Sequence, residues 1–155
     1  MTKSSVPELV ERYWETIPPA WHQTRAYIRQ VAANRYQLTV EQFQVLRRIR
    51  KGIASVSALA EANHTSRSSV SKAVDALVHK GLVHRGQNPQ DRRNLPLSLT
   101  ENGQIVMTGI YQEAERWLTA HFKRLSPGES ELLEQAMDVL NKVFSDIVIN
   151  PGKNR

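Results

Sequence analysis

The chain has 155 residues, 40% of them apolar, no cysteine and a formal charge of +6. That length and apolar content suit one domain with one hydrophobic core, and the lack of cysteine excludes disulfides, thiolate metal sites and cysteine redox switching. No apolar run reaches the ~18 residues of a membrane span, and no basic-then-apolar leader opens the sequence, so a cytoplasmic protein without membrane contact is expected.

In chain order, residues 8–17 are compatible with helix, but Pro18-Pro19 lack N–H donors and clash with the preceding turn. The main first helix is therefore expected to start near Pro19 and reach about Asn34, with Trp21, Ile28, Val31 and Ala32 along one stripe. Thr39 with Gln42 three residues on forms a capping box for a second helix, which buries Phe43 and Leu46 and stops before Gly52. Ser57 is expected to cap a short helix carrying Leu59 and Ala60. After the polar turn Asn63-His64-Thr65, Ser66 caps a helix from Arg67 to His79 that ends at Gly81.

The period then changes. Leu82 to Arg85 reads as a short strand, residues 87–91 as a turn-rich tip, and Leu95, Leu97 and Leu99 as a returning strand. Pro96 would remove one ladder donor there and fits only an edge or unpaired position. Thr100 caps a helix from Glu101 to about Lys123. Ser126-Pro127-Gly128-Glu129 opens a last helix to about Val148, with Leu132, Leu133, Ala136, Val139, Leu140, Val143, Phe144 and Ile147 in its apolar stripe, before a frayed end. The order predicts a mainly α fold with a small β-hairpin, a winged helix-turn-helix with flanking helices.

Charge supports a nucleic-acid binder. Residues 47–94 hold ten Lys/Arg against three Asp/Glu, whereas the flanks nearly balance, which is the footprint of a basic binding surface. Wound at ~3.6 residues per turn, the helix from Arg67 places Val70, Ala73, Val74 and Leu77 on one side and Ser68, Ser71, Lys72, Asp75 and His79 on the other. The candidate recognition set is Ser66, Arg67, Ser68, Ser69, Ser71, Lys72 and Asp75: small hydroxyls for close approach to base edges, cations for guanine edges or phosphate, and a helix N-terminus that favours anionic oxygen.

Arg85, Asn88, Asp91, Arg92 and Arg93, followed by Leu99-Thr100 and Gly103, resemble the wing pattern of the MarR family of bacterial regulators. Leu59-Ala60, Val70, Val74, Leu77 and Lys80 to Val83 are similar to that family's helix-turn-helix, and the resemblance extends by pattern over the flanking helices. It implies one domain over 1–155, with a DNA-binding lobe at 37–100 and dimerisation helices at 8–36 and 101–148. It further implies a wing arginine in the minor groove, a homodimer on a pseudo-palindromic double-stranded site, and no enzymatic activity. Two departures stand out: Asn63 and Thr65 occupy places that are usually apolar, which predicts a looser turn, and Pro96 interrupts the wing.

Other chemistry finds little support. The five histidines (His22, His64, His79, His84 and His121) show no zinc-binding spacing, no phosphate loop or nucleophile elbow occurs, and no cofactor is required. Trp14, Trp21, Tyr27, Tyr111 and Trp117 are either core and dimer packing or, as the resemblance implies, the lining of a pocket for a small aromatic effector. A repressor is the leading expectation. A winged-helix protein-interaction module without DNA contact, and a zinc-responsive regulator, are the alternatives.

Overall fold

The computed structural model describes residues 5–87 and 95–145. It contains α1 (Val6–Tyr36), α2 (Val40–Arg50), α3 (Val56–Asn63), α4 (Arg67–His79), β1 (Val83–Arg85), β2 (Leu97–Leu99), α5 (Glu101–Phe122) and α6 (Pro127–Ser145). Two compact units divide after Glu115. The expected mainly α winged fold is present.

One expectation fails: α1 is a single helix from Val6, with Pro18 and Pro19 inside it. The prolines orphan the carbonyls of Trp14 and Glu15, but both residues are exposed, so water is available to those oxygens. Proline's fixed φ is itself helical, and Ser5 with Glu8 forms a capping box at the start, with Ser5 N–H donating to Glu8 Oε2 at 2.8 Å. Of the predicted stripe, Val31 and Ala32 are buried and Ile28 half-buried, while Trp21 is exposed. The helix ends at Gln37 in the left-handed region, φ 51°, and buried Leu38 donates back to the Ala32 carbonyl at 3.1 Å.

The Thr39 box is formed, with Gln42 N–H donating to Thr39 Oγ1 at 3.1 Å. The cap of α3 is Ser55 instead of Ser57: Ala58 N–H donates to Ser55 Oγ at 3.2 Å, which places Ser57 within the first turn. At α6, Ser126 N–H and Oγ donate to Glu129 Oε2 at 2.8 and 2.7 Å, and these bonds, the backbone one foremost, hold that carboxyl below its ordinary pKa.

The core lies where α2, α3 and α4 meet, with the hairpin and α5 contributing side chains to it. Leu46, Leu59, Val70, Val74, Leu77, Met107 and Ile110 are fully buried in it. Arg35 of α1 pairs with buried Glu113 of α5. α5 starts tightly against the α4–β1 corner. Thr100 Oγ1 accepts from Gly103 N–H at 3.0 Å and donates to the Gly81 carbonyl at 2.6 Å. A Cβ on buried Gly103 would overlap the Leu82 carbonyl oxygen.

β1 and β2 pair antiparallel, with Val83 opposite Leu99 and Arg85 opposite Leu97. Pro96 lies just outside β2; its carbonyl accepts from Gly86 N–H at 2.7 Å, but it has no donor to return. The ladder thins there as the sequence predicts. On the opposite edge, Leu97 N–H donates to the Ala54 carbonyl at 2.9 Å, joining the hairpin to the segment before α3.

Candidate nucleic-acid interface

The candidate recognition helix, α4, is oriented by its buried side. Val70, Val74 and Leu77 are wholly inaccessible and Ala73 nearly so, so the opposite face, with Arg67, Ser68, Lys72, Asp75 and His79 exposed, is turned to solvent. Ser66 caps α4, its Oγ accepting from Ser69 N–H at 3.1 Å. Ser71 is half-buried at the margin of the exposed face. Ser69 differs from its neighbours: its hydroxyl donates to Glu41 Oε1 of α2 at 2.6 Å. This side chain therefore braces α4 on α2.

The turn before α4 is polar and tightly held, contrary to the looser packing expected from Asn63 and Thr65. Arg48 of α2 donates through Nε to Asn63 Oδ1 at 3.2 Å and through Nη2 to the Ala62 carbonyl at 2.6 Å. His64 adopts φ 50°, and Thr65 N–H donates to the Ala60 carbonyl at 3.0 Å. The guanidinium thus replaces the usual apolar plug, although Asn63 Nδ2 is buried without a partner, a penalty of about 1–3 kcal/mol for such a group.

Among the wing residues, Arg85 lies on β1, and its Nη2 meets Asp75 Oδ1 of α4 at 2.9 Å. Two residues proposed from sequence as separate contacts are therefore partners. Asn88, Asp91, Arg92 and Arg93 lie outside the described residues. Lys80, which belongs to the basic middle, donates to the Gln37 carbonyl at 2.6 Å and so fastens α4 to the α1–α2 corner.

The aromatic set separates. Trp21 and Tyr111 line a pocket of about 70 Å³ together with Arg25, Ile28, Arg29, Phe43, Gln44 and Arg47. Arg25 lies over Trp21 at 5.9 Å and Arg50 over Tyr111 at 5.3 Å, both within cation–π range. Tyr27 packs against the core, exposed Trp14 meets Tyr13 edge-on at 5.6 Å, and Trp117 tilts against His121 at 4.5 Å. None of these last three is in the pocket lining.

Glu41 and Arg48 were missed by the sequence reading. Helical periodicity places both outside the apolar stripe, and nothing local distinguishes an arginine that braces a turn from one that meets solvent. Among the described residues, no group of three or more His, Cys, Asp or Glu gathers as a metal site, and no helix is long and apolar enough to cross a membrane.

A sequence model described as the MarR family matches residues 38–95. The transcriptional regulator HosA of Escherichia coli O111:H- is 31% identical over 123 residues, covering 75% of this chain and 90% of HosA. Across the curated relatives it matches, the chain spans from 45% to 90% of their length. The crystal structure of the transcriptional regulator Tm0710 from Thermotoga maritima superposes with TM-score 0.80 at 20% identity, over 93% of this chain and 99% of that one. A mutant MepR of S. aureus bound to an oligodeoxyribonucleotide superposes with TM-score 0.66 at 21% identity, over 86% and 96%. The family match together with the likeness to HosA shows that the chain belongs to the MarR family, whose members are transcriptional regulators and not enzymes.

Proposed function

We propose that the chain represses transcription by binding a pseudo-palindromic duplex site as a homodimer, and that a small aromatic molecule releases it. The observation that carries DNA binding is the outward face of α4, where Arg67, Ser68 and Lys72 are exposed on a helix whose other side is fully buried. The oligodeoxyribonucleotide bound to the MepR mutant supports the same use of the fold.

The proposed division of labour is testable. Ser68, Ser71 and Lys72 read base edges, whereas Arg92 and Arg93 meet the minor groove through charge and groove width. Genomic fragments recovered with the purified protein supply the operator, expected as an inverted repeat with half-site centres about 34 Å apart. Ser68→Ala is expected to lose roughly 1–3 kcal/mol on the operator and little on scrambled duplex, while Arg93→Ala weakens both. Equal loss on both duplexes from each variant would refute this division, and no effect from either would displace the binding surface from α4.

Two-fold pairing is supported by exposed apolar side chains: Val6, Leu9, Val10 and Trp14 on α1, Ile105 and Phe122 on α5, and Leu132, Val139 and Val143 on α6. A second copy is the proposed cover. Sedimentation at micromolar concentration is expected to give about twice the 17.6 kDa chain mass; a clean monomer would refute the dimer and the inverted repeat together.

For the effector, the pocket beside Trp21 and Tyr111 is the proposed site. Its volume of about 70 Å³ is less than the ~150 Å³ of a dry cavity that admits benzene, so a ring enters only if the lining side chains part. Movement there would bear on α2, which carries Phe43, Gln44 and Arg47 in the pocket wall and, through Glu41 and Arg48, the braces to α4 and its turn.

A further inference from the structure

We propose that Asp75 is a specificity-determining residue that acts through Arg85, holding its guanidinium against α4 and away from DNA phosphates. The inference rests on the reading that the outer face of α4 meets duplex DNA. Asp75 is the one acidic residue in the sequence of α4. It stands on the same exposed face as Ser68 and Lys72, where a polyanion would repel its carboxylate. Instead of leaving that charge bare, the fold brings Arg85 of β1 to 2.9 Å from it, with the two side chains 32% exposed for Arg85 and 59% exposed for Asp75.

Both ends of the pair are mounted on fixed backbone. Asp75 follows buried Ala73 and Val74 on α4, and Arg85 is in register with buried Leu97. The connection between them is also fixed: Leu82 N–H donates to the Leu77 carbonyl at 2.9 Å, and Gly81 takes φ 68°. An ion pair this exposed contributes little to folding. Its consequence is on the DNA side, because a guanidinium neutralised within the protein displaces no counterion when DNA arrives.

Asp75→Asn keeps the shape and removes the charge. It frees Arg85 for one more phosphate per subunit. For a dimer the slope of log affinity against log salt is expected to steepen by about 2, and affinity for scrambled duplex at ~0.1 M salt to rise about tenfold or more. Operator affinity should rise less, because Arg85 then has no fixed place, so the operator-to-scrambled ratio falls. Asp75→Glu is expected to retain the wild-type slope, and Asp75→Asn combined with Arg85→Ala to return to it. A residue of structural importance alone would instead lower the melting temperature and both affinities.

The measurement is a salt series on operator and scrambled duplex for wild type and each variant, with melting curves alongside. Should Asp75→Asn melt early, Asp75→Ser at the same exposed position is read in its place. A scrambled-duplex affinity that is unchanged or lower, while wild type binds with steep salt dependence, overturns the restraint and leaves the DNA reading intact. Wild type that binds neither duplex overturns both.

Discussion

Raising salt from 50 to 200 mM is expected to lower the affinity of the wild-type protein, acting as the proposed dimer, for duplex DNA by about 10⁴-fold. The estimate follows from which cations the fold leaves available. Of the ten Lys/Arg between residues 47 and 94, Arg48 braces the turn, Arg50 covers Tyr111, Arg47 lines the pocket, Lys51 sits at the C-cap of α2, away from α4 in sequence, Lys80 ties α4 to the α1–α2 corner and Arg85 is paired with Asp75. Arg67 and Lys72 remain on the outer face of α4 and Arg92 and Arg93 in the wing sequence, or about eight cations per dimer. At ~0.9 per neutralised phosphate, the log–log slope is near −7. Had the whole basic middle met phosphate, the slope would be near −18. Fluorescence anisotropy on a labelled duplex across that salt range distinguishes the two. A slope flatter than about −2 would favour a protein partner over DNA.

Gly103→Ala is expected to destabilise the fold by about 3 kcal/mol, toward the upper end of ordinary overpacking. A Cβ there would overlap the Leu82 carbonyl oxygen and come within 3.4 Å of Leu99 Cβ. The obstacle is backbone, which cannot rotate aside as a side chain would. That carbonyl already accepts from Thr100 N–H at 3.1 Å, while Thr100 Oγ1 holds the neighbouring Gly81 carbonyl. To admit a methyl group, α5 must lift from the α4–β1 corner, and α4 loses its support with it. Gly128→Ala is the control. Its Cβ would meet nothing within 4 Å, and alanine favours helix by up to about 1 kcal/mol over glycine. Denaturant unfolding of the two variants should shift in opposite directions; a Gly103→Ala midpoint equal to wild type would show that the corner yields.

The elements legible in the sequence were those set by local chemistry. Thr39 with Gln42, Ser66, Thr100 and Ser126 announce helix starts because the capping oxygen and the N–H it serves lie within one turn of chain. The alternation of Leu97 with Leu99 marks a strand for the same local reason. Pro18-Pro19 misled because a proline's local penalty is visible in sequence, whereas the exposure of the residues with orphaned carbonyls and the helical flanks on both sides are not. The partition of the basic middle was illegible for a related reason. Whether Arg48 meets a phosphate or Asn63, and whether Arg85 meets DNA or Asp75, depends on residues brought together only by folding. The aromatic set was likewise half readable: its membership followed from composition, but the separation of Trp21 and Tyr111 from Trp14, Tyr27 and Trp117 did not.

The bond from Leu97 N–H to the Ala54 carbonyl also bears on how these molecules behave when crowded. A two-stranded ribbon has two outer edges, and each is a template on which a strand from another molecule could pair. At Leu97 the outward donor of β2 is already occupied by the chain's own residue ahead of α3. A neighbour trying to extend the ribbon along β2 therefore meets a filled position. Edge-to-edge growth is discouraged at the place where a protein built to expose a hairpin is most open to it.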